Sequence, residues 1–306
     1  MMRLTYAGVD ITDSISINRC YHDMYAAGRS DTLNLRVNDA HNLWDRWSPV
    51  AGDEISVDYG SIGTGTMFVS SVVPENGLYT ITAQAAPMSG FDPQYKAWQR
   101  VRLLQIGEEI AARNGLTFHN YGVEDRLYEY ILQNNEGDLR FLNRRAQLEG
   151  CALIVFDKKL IMYSEQYMEQ QQAVQDISIH SDGMYKYTDR SIDLYGSCVV
   201  ENGLYSGSYS ASNGSSRIYR PAALGNIGSD EEARRFAKNL LRSVNKGCRS
   251  GYVRANVLTG YAAASMAYLT NERAPSWDGA VFIDHIRNDY GTGQSKIFFR
   301  KPLEGY

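Results

Sequence analysis

Polar and apolar positions alternate through much of residues 1–87, a period that predicts strands with one buried face. In DEISVDY, Ile55, Val57 and Tyr59 interleave with Glu54, Ser56 and Asp58. LYTITAQA repeats the pattern with Tyr79, Ile81 and Ala83, after the turn signal Pro74-Glu75-Asn76-Gly77, and the two segments read as hairpin neighbours. The period then changes. Val101, Leu104, Ile106 and Ile110 fall near one face of a helix expected over Trp98 to Asn114, with Asn114-Gly115 as its left-handed stop. A second helix is expected with Asn135 as its cap, Leu139, Leu142 and Ala146 as its stripe and Gly150 as its end. CALIVFD and KLIMYSE then predict a hairpin around Asp157-Lys158-Lys159, with the helix lying on its two strands.

From about residue 166 strand patterns return, broken by one helix over 229–246. Ser229-Asp230-Glu231-Glu232 is a capping box, and Ala233, Phe236, Ala237, Leu240, Leu241 and Val244 recur at helical intervals up to Gly247. The Gly- and Ser-rich stretch over 203–217 predicts a long exposed, mobile loop. An internal echo links the two ends of the chain: GTMFVSSV (Gly65 to Val72) and GAVFIDHI (Gly279 to Ile286) share one ungapped pattern. Each copy continues through a Gly-containing turn into another strand and reaches a proline, Pro87 or Pro302. Two copies of one β unit are therefore expected, with Phe68 and Phe282 at equivalent positions. As a trimer, such a chain presents six similar faces in a ring.

The 306 residues suffice for two or three packed units, and 22 tyrosines with 27 glycines favour twisted antiparallel strands. A net charge of −4 argues against binding to a nucleic-acid backbone, which needs a surplus of Lys and Arg on one face. The start, Met1-Met2-Arg3-Leu4-Thr5-Tyr6, lacks the pattern of a secretory signal, and no run is long enough to span a bilayer. The expectation is a chain that folds in a cytoplasm. Cys20, Cys151, Cys198 and Cys248 are isolated, which predicts reduced, mostly buried thiols with neither zinc nor disulfides.

Catalytic patterns are scarce. His22, His41, His119, His180 and His285 lie far apart without ligand spacing, and His285 is read as structural. GSIGTGT and YGTGQ sit between predicted strands, whereas a phosphate cradle needs a following helix, so both are read as hairpin turns. Asp53, Glu54 and Asp58 could supply a glycosidase pair, but Glu54 and Asp58 fall on the polar face of a strand. Glu136 and Asp138 read as first-turn charges that meet a helix dipole. No catalytic residue, cofactor or metal is expected. Trp44 and Trp47 in NLWDRWSP could line a sugar-binding platform; plugging a barrel end or an oligomer interface is the favoured role.

GDEISVDYG, GTMFVSSVVPENGLYTITAQAAP and EGDLRFLNRRAQLEGCALIVFDKKLIMY together resemble the late control D family of phage tail proteins. The hallmark runs from an acidic start through Phe141-Leu142 to Glu149-Gly150, then a strand and the hairpin Val155-Phe156-Asp157-Lys158-Lys159-Leu160. That family is the baseplate hub of contractile tails and related bacteriocins, and it corresponds to the hub part of valine-glycine repeat spike proteins. The resemblance implies an α+β, mainly β chain: a first β-barrel unit over 1–87, a helix and β-hairpin unit over 88–165, and a second β-barrel unit over 166–306. It further implies a homotrimer whose barrels form a pseudo-six-fold ring between a hexameric tail tube and a separate trimeric spike. The expected location is the baseplate of a virion or tail-like particle, among other baseplate proteins, after assembly in a host bacterium. The rival expectations are a tail-tip cell-wall hydrolase and a carbohydrate- or receptor-binding β module.

Overall fold

A computed structural model describes residues 2–39, 42–222, 224–225, 227–257 and 260–306. Met1 and His41, which bear on the expectations for the chain start and the histidines, lie outside the described residues.

The first third contains β1 (Met2–Tyr6), β2 (Val9–Asp10), β3 (Ser16–Tyr25), β4 (Thr32–Asn38), α1 (Leu43–Trp47), β5 (Glu54–Tyr59), β6 (Ile62–Gly63), β7 (Met67–Glu75) and β8 (Leu78–Gln84). Alternation decides these strands: Ile55 and Val57 of β5, and Tyr79, Ile81 and Ala83 of β8, are buried while their neighbours are not. β7 stands between β5 and β8, so those two are not direct partners. Asn76 and Gly77, with φ of 49° and 76°, close the β7–β8 hairpin in the left-handed conformation that a two-residue turn needs.

The middle contains β9 (Pro93–Arg102), α2 (Leu103–Arg113), β10 (Thr117–Tyr121), β11 (Leu127–Gly137), α3 (Asp138–Leu148), β12 (Cys151–Phe156), β13 (Lys159–Ser164) and α4 (Glu165–Glu169). Two corrections arise here. Trp98 to Arg102 belong to β9, which pairs with β11, and the helix starts only at Leu103. Asn135 does not cap α3; Gly137 holds that position, and Asn135 sits at φ 52° where the β9–β11 register shifts. The β12–β13 hairpin gains β10 as a parallel third strand, and α3 packs on β12.

The last part contains β14 (Gln175–Ile179), β15 (Tyr185–Asp189), β16 (Ser197–Glu201), β17 (Ser206–Ser210), β18 (Ile218–Tyr219), α5 (Asp230–Asn245), β19 (Arg249–Asn256), β20 (Met266–Asn271), β21 (Gly279–Asp289) and β22 (Gln294–Arg300). The capping box of α5 is offset by one residue: Ser229 Oγ accepts from the Glu232 amide, but Glu232 Oε2 accepts from the Gly228 amide at 2.6 Å. The expected exposed loop over 203–217 contains β17, which pairs with β16 and lies against α5. A side chain on Gly207 would begin 2.2 Å from the Arg234 amide nitrogen, so the small residues there serve close packing. β16, β17, β18 and α5 share a core of their own around Phe236, Leu241, Cys198 and Val200.

Among the described residues, fourteen strands form one large sheet. Within it two runs repeat the same spatial order, β3-β4-β8-β7-β5-β1 and β15-β19-β22-β21-β20-β14, and the two sets also follow each other in the same chain order. Each neighbouring pair is antiparallel in both runs, except that β1 lies antiparallel to β5 and β14 parallel to β20. Both runs carry a bulge at the matching point, between Val69 and Ser71 of β7 and between Ile283 and His285 of β21. The runs join where β3 pairs with the C-terminal half of β21.

Candidate functional site

The side chains that could do chemistry are engaged in holding the fold. Asp53 accepts from Tyr6 Oη at 2.5 Å and from the Val50 amide, and Glu54 accepts from Lys158 Nζ at 2.6 Å. Asp138 is more than a first-turn charge: buried, it accepts from Arg113, Gln133 and Asn114 and so ties α2 and β11 to α3. Burial pushes the Asp31 carboxyl up to about 7, but its Oδ1 accepts from the Tyr25 amide in the β3–β4 connection. No group of three or more His, Cys, Asp or Glu side chains among the described residues is arranged to hold a metal. GSIGTGT and YGTGQ connect strands β5–β6–β7 and β21–β22. The four cysteines are free, and burial raises the thiols of Cys20 and Cys151 to about 12.

Three of the histidines follow the same rule. His22 Nδ1 meets Tyr290 Oη at 2.9 Å, His180 meets Glu272, and His285 Nε2 meets Asp23 Oδ1 at 2.6 Å. His119 is exposed on β10.

What the geometry concentrates instead is cross-links between distant parts of the chain. At the β3–β21 seam, Asp23 holds His285 and both nitrogens of an Arg287 fork, and the His285 ring stacks between Tyr25 at 4.4 Å and Phe298 at 4.7 Å. Burial opposes ionisation of Asp23, but bonds from His285 and Arg287 outweigh it and lower the carboxyl below its usual range. A second lock surrounds Arg300, 1% exposed, which binds Glu169 at 2.5 Å and Asp284 at 3.1 Å. Arg242 reaches the other oxygen of Glu169 at 3.0 Å, and Lys246 reaches Glu165 at 2.5 Å. Five segments are thereby bound: α4, α5, β21, β22 and the turn after α5. Its members are scattered from 165 to 300, so no local pattern announces them. A third joint presses the hairpin turn onto the first strands: Thr66 bonds Asp157, and Gly65 lies directly beneath it.

Trp44 is fully buried among Tyr6, Trp47 and Tyr79, with ring centroids 5.1–6.0 Å away, while Trp47 is half-buried beside it. Phe68 is half-buried on β7 and Phe282 fully buried on β21. The structure does not bring these four together into one site: the tryptophans and Phe68 belong to the first strand run, Phe282 to the second.

No family model matches the sequence, and no curated protein matches it. Solved structures do. The 43 kDa tail protein of prophage MuSo2 from Shewanella oneidensis superposes with a TM-score of 0.77 at 14% identity, over 98% of this chain and 97% of that one. A tail protein from Neisseria meningitidis MC58 gives 0.77 at 10% identity over 98% and 95%. The E. coli c3393 protein, a type VI secretion component described as similar to T4 tail proteins gp27 and gp5, gives 0.64 at 11% over 99% and 78%. The chain has the fold of these tail proteins, and it is α+β and mainly β.

Proposed function

We propose that this chain is the structural hub of a baseplate, in a contractile phage tail or a related tail-like particle. The observation that carries the proposal is end-to-end likeness to phage tail proteins, with 98% of the chain aligned to a 97% covered partner. The repeated strand order supports a ring role, because a trimer of a duplicated chain offers six similar faces toward a hexameric tube and three toward a spike. In this reading the two strand runs are the barrel units, 88–165 is the outer helix and hairpin unit, and a separate spike trimer and other baseplate proteins are the partners. The function is symmetry adaptation and load bearing, with no catalytic step. Trp47 and Phe68, both half-buried, are candidates for contacts between copies.

The test is mass in solution and in particles. Analytical ultracentrifugation of the purified chain should give three times the chain mass, and quantitative mass spectrometry of intact particles should give equal numbers of hub and spike chains. A monomer at every concentration, together with absence from particles, would overturn the proposal.

A further inference from the structure

The seam inside the chain is a template for one between chains. β3 and β15 are counterparts in the two strand runs, as are β21 and β7. Within the chain, β3 adds to the C-terminal half of β21, beyond the point where β20 ends its pairing. The counterpart surfaces are open: among the described residues β5 pairs with β7 only at Met67 and Phe68, so Ser71–Glu75 has β8 on one side alone. Among the described residues β15 likewise pairs with β19 alone. Two open edges with the geometry of a pair already made elsewhere in the molecule are poised to pair with each other.

We propose that β15 of one copy adds antiparallel to the C-terminal half of β7 of a second copy, repeating the β3–β21 seam. The register follows from the ladders. Tracing β8–β4–β3 against β22–β19–β15 makes Thr188 the counterpart of Asp23, Tyr187 of His22 and Lys186 of Tyr21. The bulge alignment makes Val73 the counterpart of Arg287, Pro74 of Asn288 and Glu75 of Asp289. Since Arg287 faces Asp23, Asn288 faces His22 and Asp289 faces Tyr21, the new seam sets Val73 against Thr188, Pro74 against Tyr187 and Glu75 against Lys186.

The residues at this register suit one another. Glu75, which lies 3.8 Å from Arg36 of its own chain, and Lys186 are opposite charges directly across the ladder, and both are exposed. Val73 is an exposed β-branched residue, 49% accessible, that pairing would cover. Pro74 lacks an N–H, so the seam carries one main-chain bond fewer than its template and relies more on the charge pair. The contact is head-to-tail, since β15 and β7 are different edges, and repetition of such a contact gives a ring when the rotation closes. Closure at three copies rests on the hub proposal; the strand pairing itself does not.

Cysteine cross-linking tests it. Glu75→Cys and Lys186→Cys in one chain should give disulfide-linked dimers and trimers on oxidation, while either single variant should not. Glu75→Lys should weaken self-association at least about tenfold, and adding Lys186→Glu should restore it. A trimer that forms without cross-links and ignores the charge swap overturns this pairing and leaves the hub proposal standing. A chain that stays monomeric at every concentration overturns this pairing, and its absence from particles as well overturns the hub proposal. Thermal melting of each variant separates lost association from lost fold.

Discussion

Phe68 and Phe282 stand at the same station of two ladders: each faces the first residue of one neighbouring strand, Glu54 or Met266, and the last residue of the other, Gln84 or Arg300. Only Phe282 is fully buried. Phe282→Ala should therefore cost about 3–5 kcal/mol of chain stability in urea unfolding, and Phe68→Ala clearly less. Equal costs would show that the two environments are not distinguished by burial.

Arg300→Ala removes the centre of the buried lock and leaves Glu165 and Glu169 facing each other with less cation between them. The expected loss is about 3–5 kcal/mol, because three clustered carboxylates, Glu165, Glu169 and Asp284, are left with Arg242 and Lys246 for countercharge, and breaking a buried pair from one side is costly. Denaturant unfolding measures it, and a loss near that of a surface pair, below about 1 kcal/mol, would refute the buried-lock description.

Gly60 and Gly65 share a φ of 63°, but only Gly65 faces a neighbour, with Asp157 Cβ 2.8 Å and its amide nitrogen 3.1 Å from an added Cβ. Gly60→Ala should cost about 1 kcal/mol from backbone conformation alone. Gly65→Ala should cost at least about 1 kcal/mol more, since the hairpin backbone must retreat. Similar melting temperatures for the two variants would mean that this joint is loose.

Burial lowers the pKa of His22 from 6.5 to about 4. The folded state binds the proton more weakly than the unfolded state, so the neutral ring contributes stability that is present above pH 6.5. That contribution is lost as pH falls through 6.5 toward 4, on the order of 3 kcal/mol in all. Unfolding free energies measured across this window should show the slope, and His22→Gln should flatten it.

The sequence exposed the elements whose local period had no rival. Alternation marked β5 and β8, and the cap at Ser229 with its apolar stripe marked α5. Trp98 to Arg102 misled because Val101 and Leu104 happen to sit at helical spacing across the junction of β9 and α2. Gly207 misled because small residues serve both flexibility and close packing, and only the position of α5 distinguishes them. The echo around Phe68 and Phe282 was legible because both copies keep the same bulge without insertion. The lock around Arg300 was not, since Glu165 and Glu169 come from α4, far along the chain from Arg300.

The seam between β3 and β21 also sets a folding order. β3 must find β21 across nearly the whole chain, the longest-range strand pairing of the large sheet among the described residues. During synthesis β3 leaves the ribosome with β4 as a partner on one side and an open edge on the other until β21 is made. That edge is exposed to wrong partners for most of synthesis, including β3 of another nascent copy. Folding thus begins with a race that each chain must win against its neighbours, by closing its own seam first.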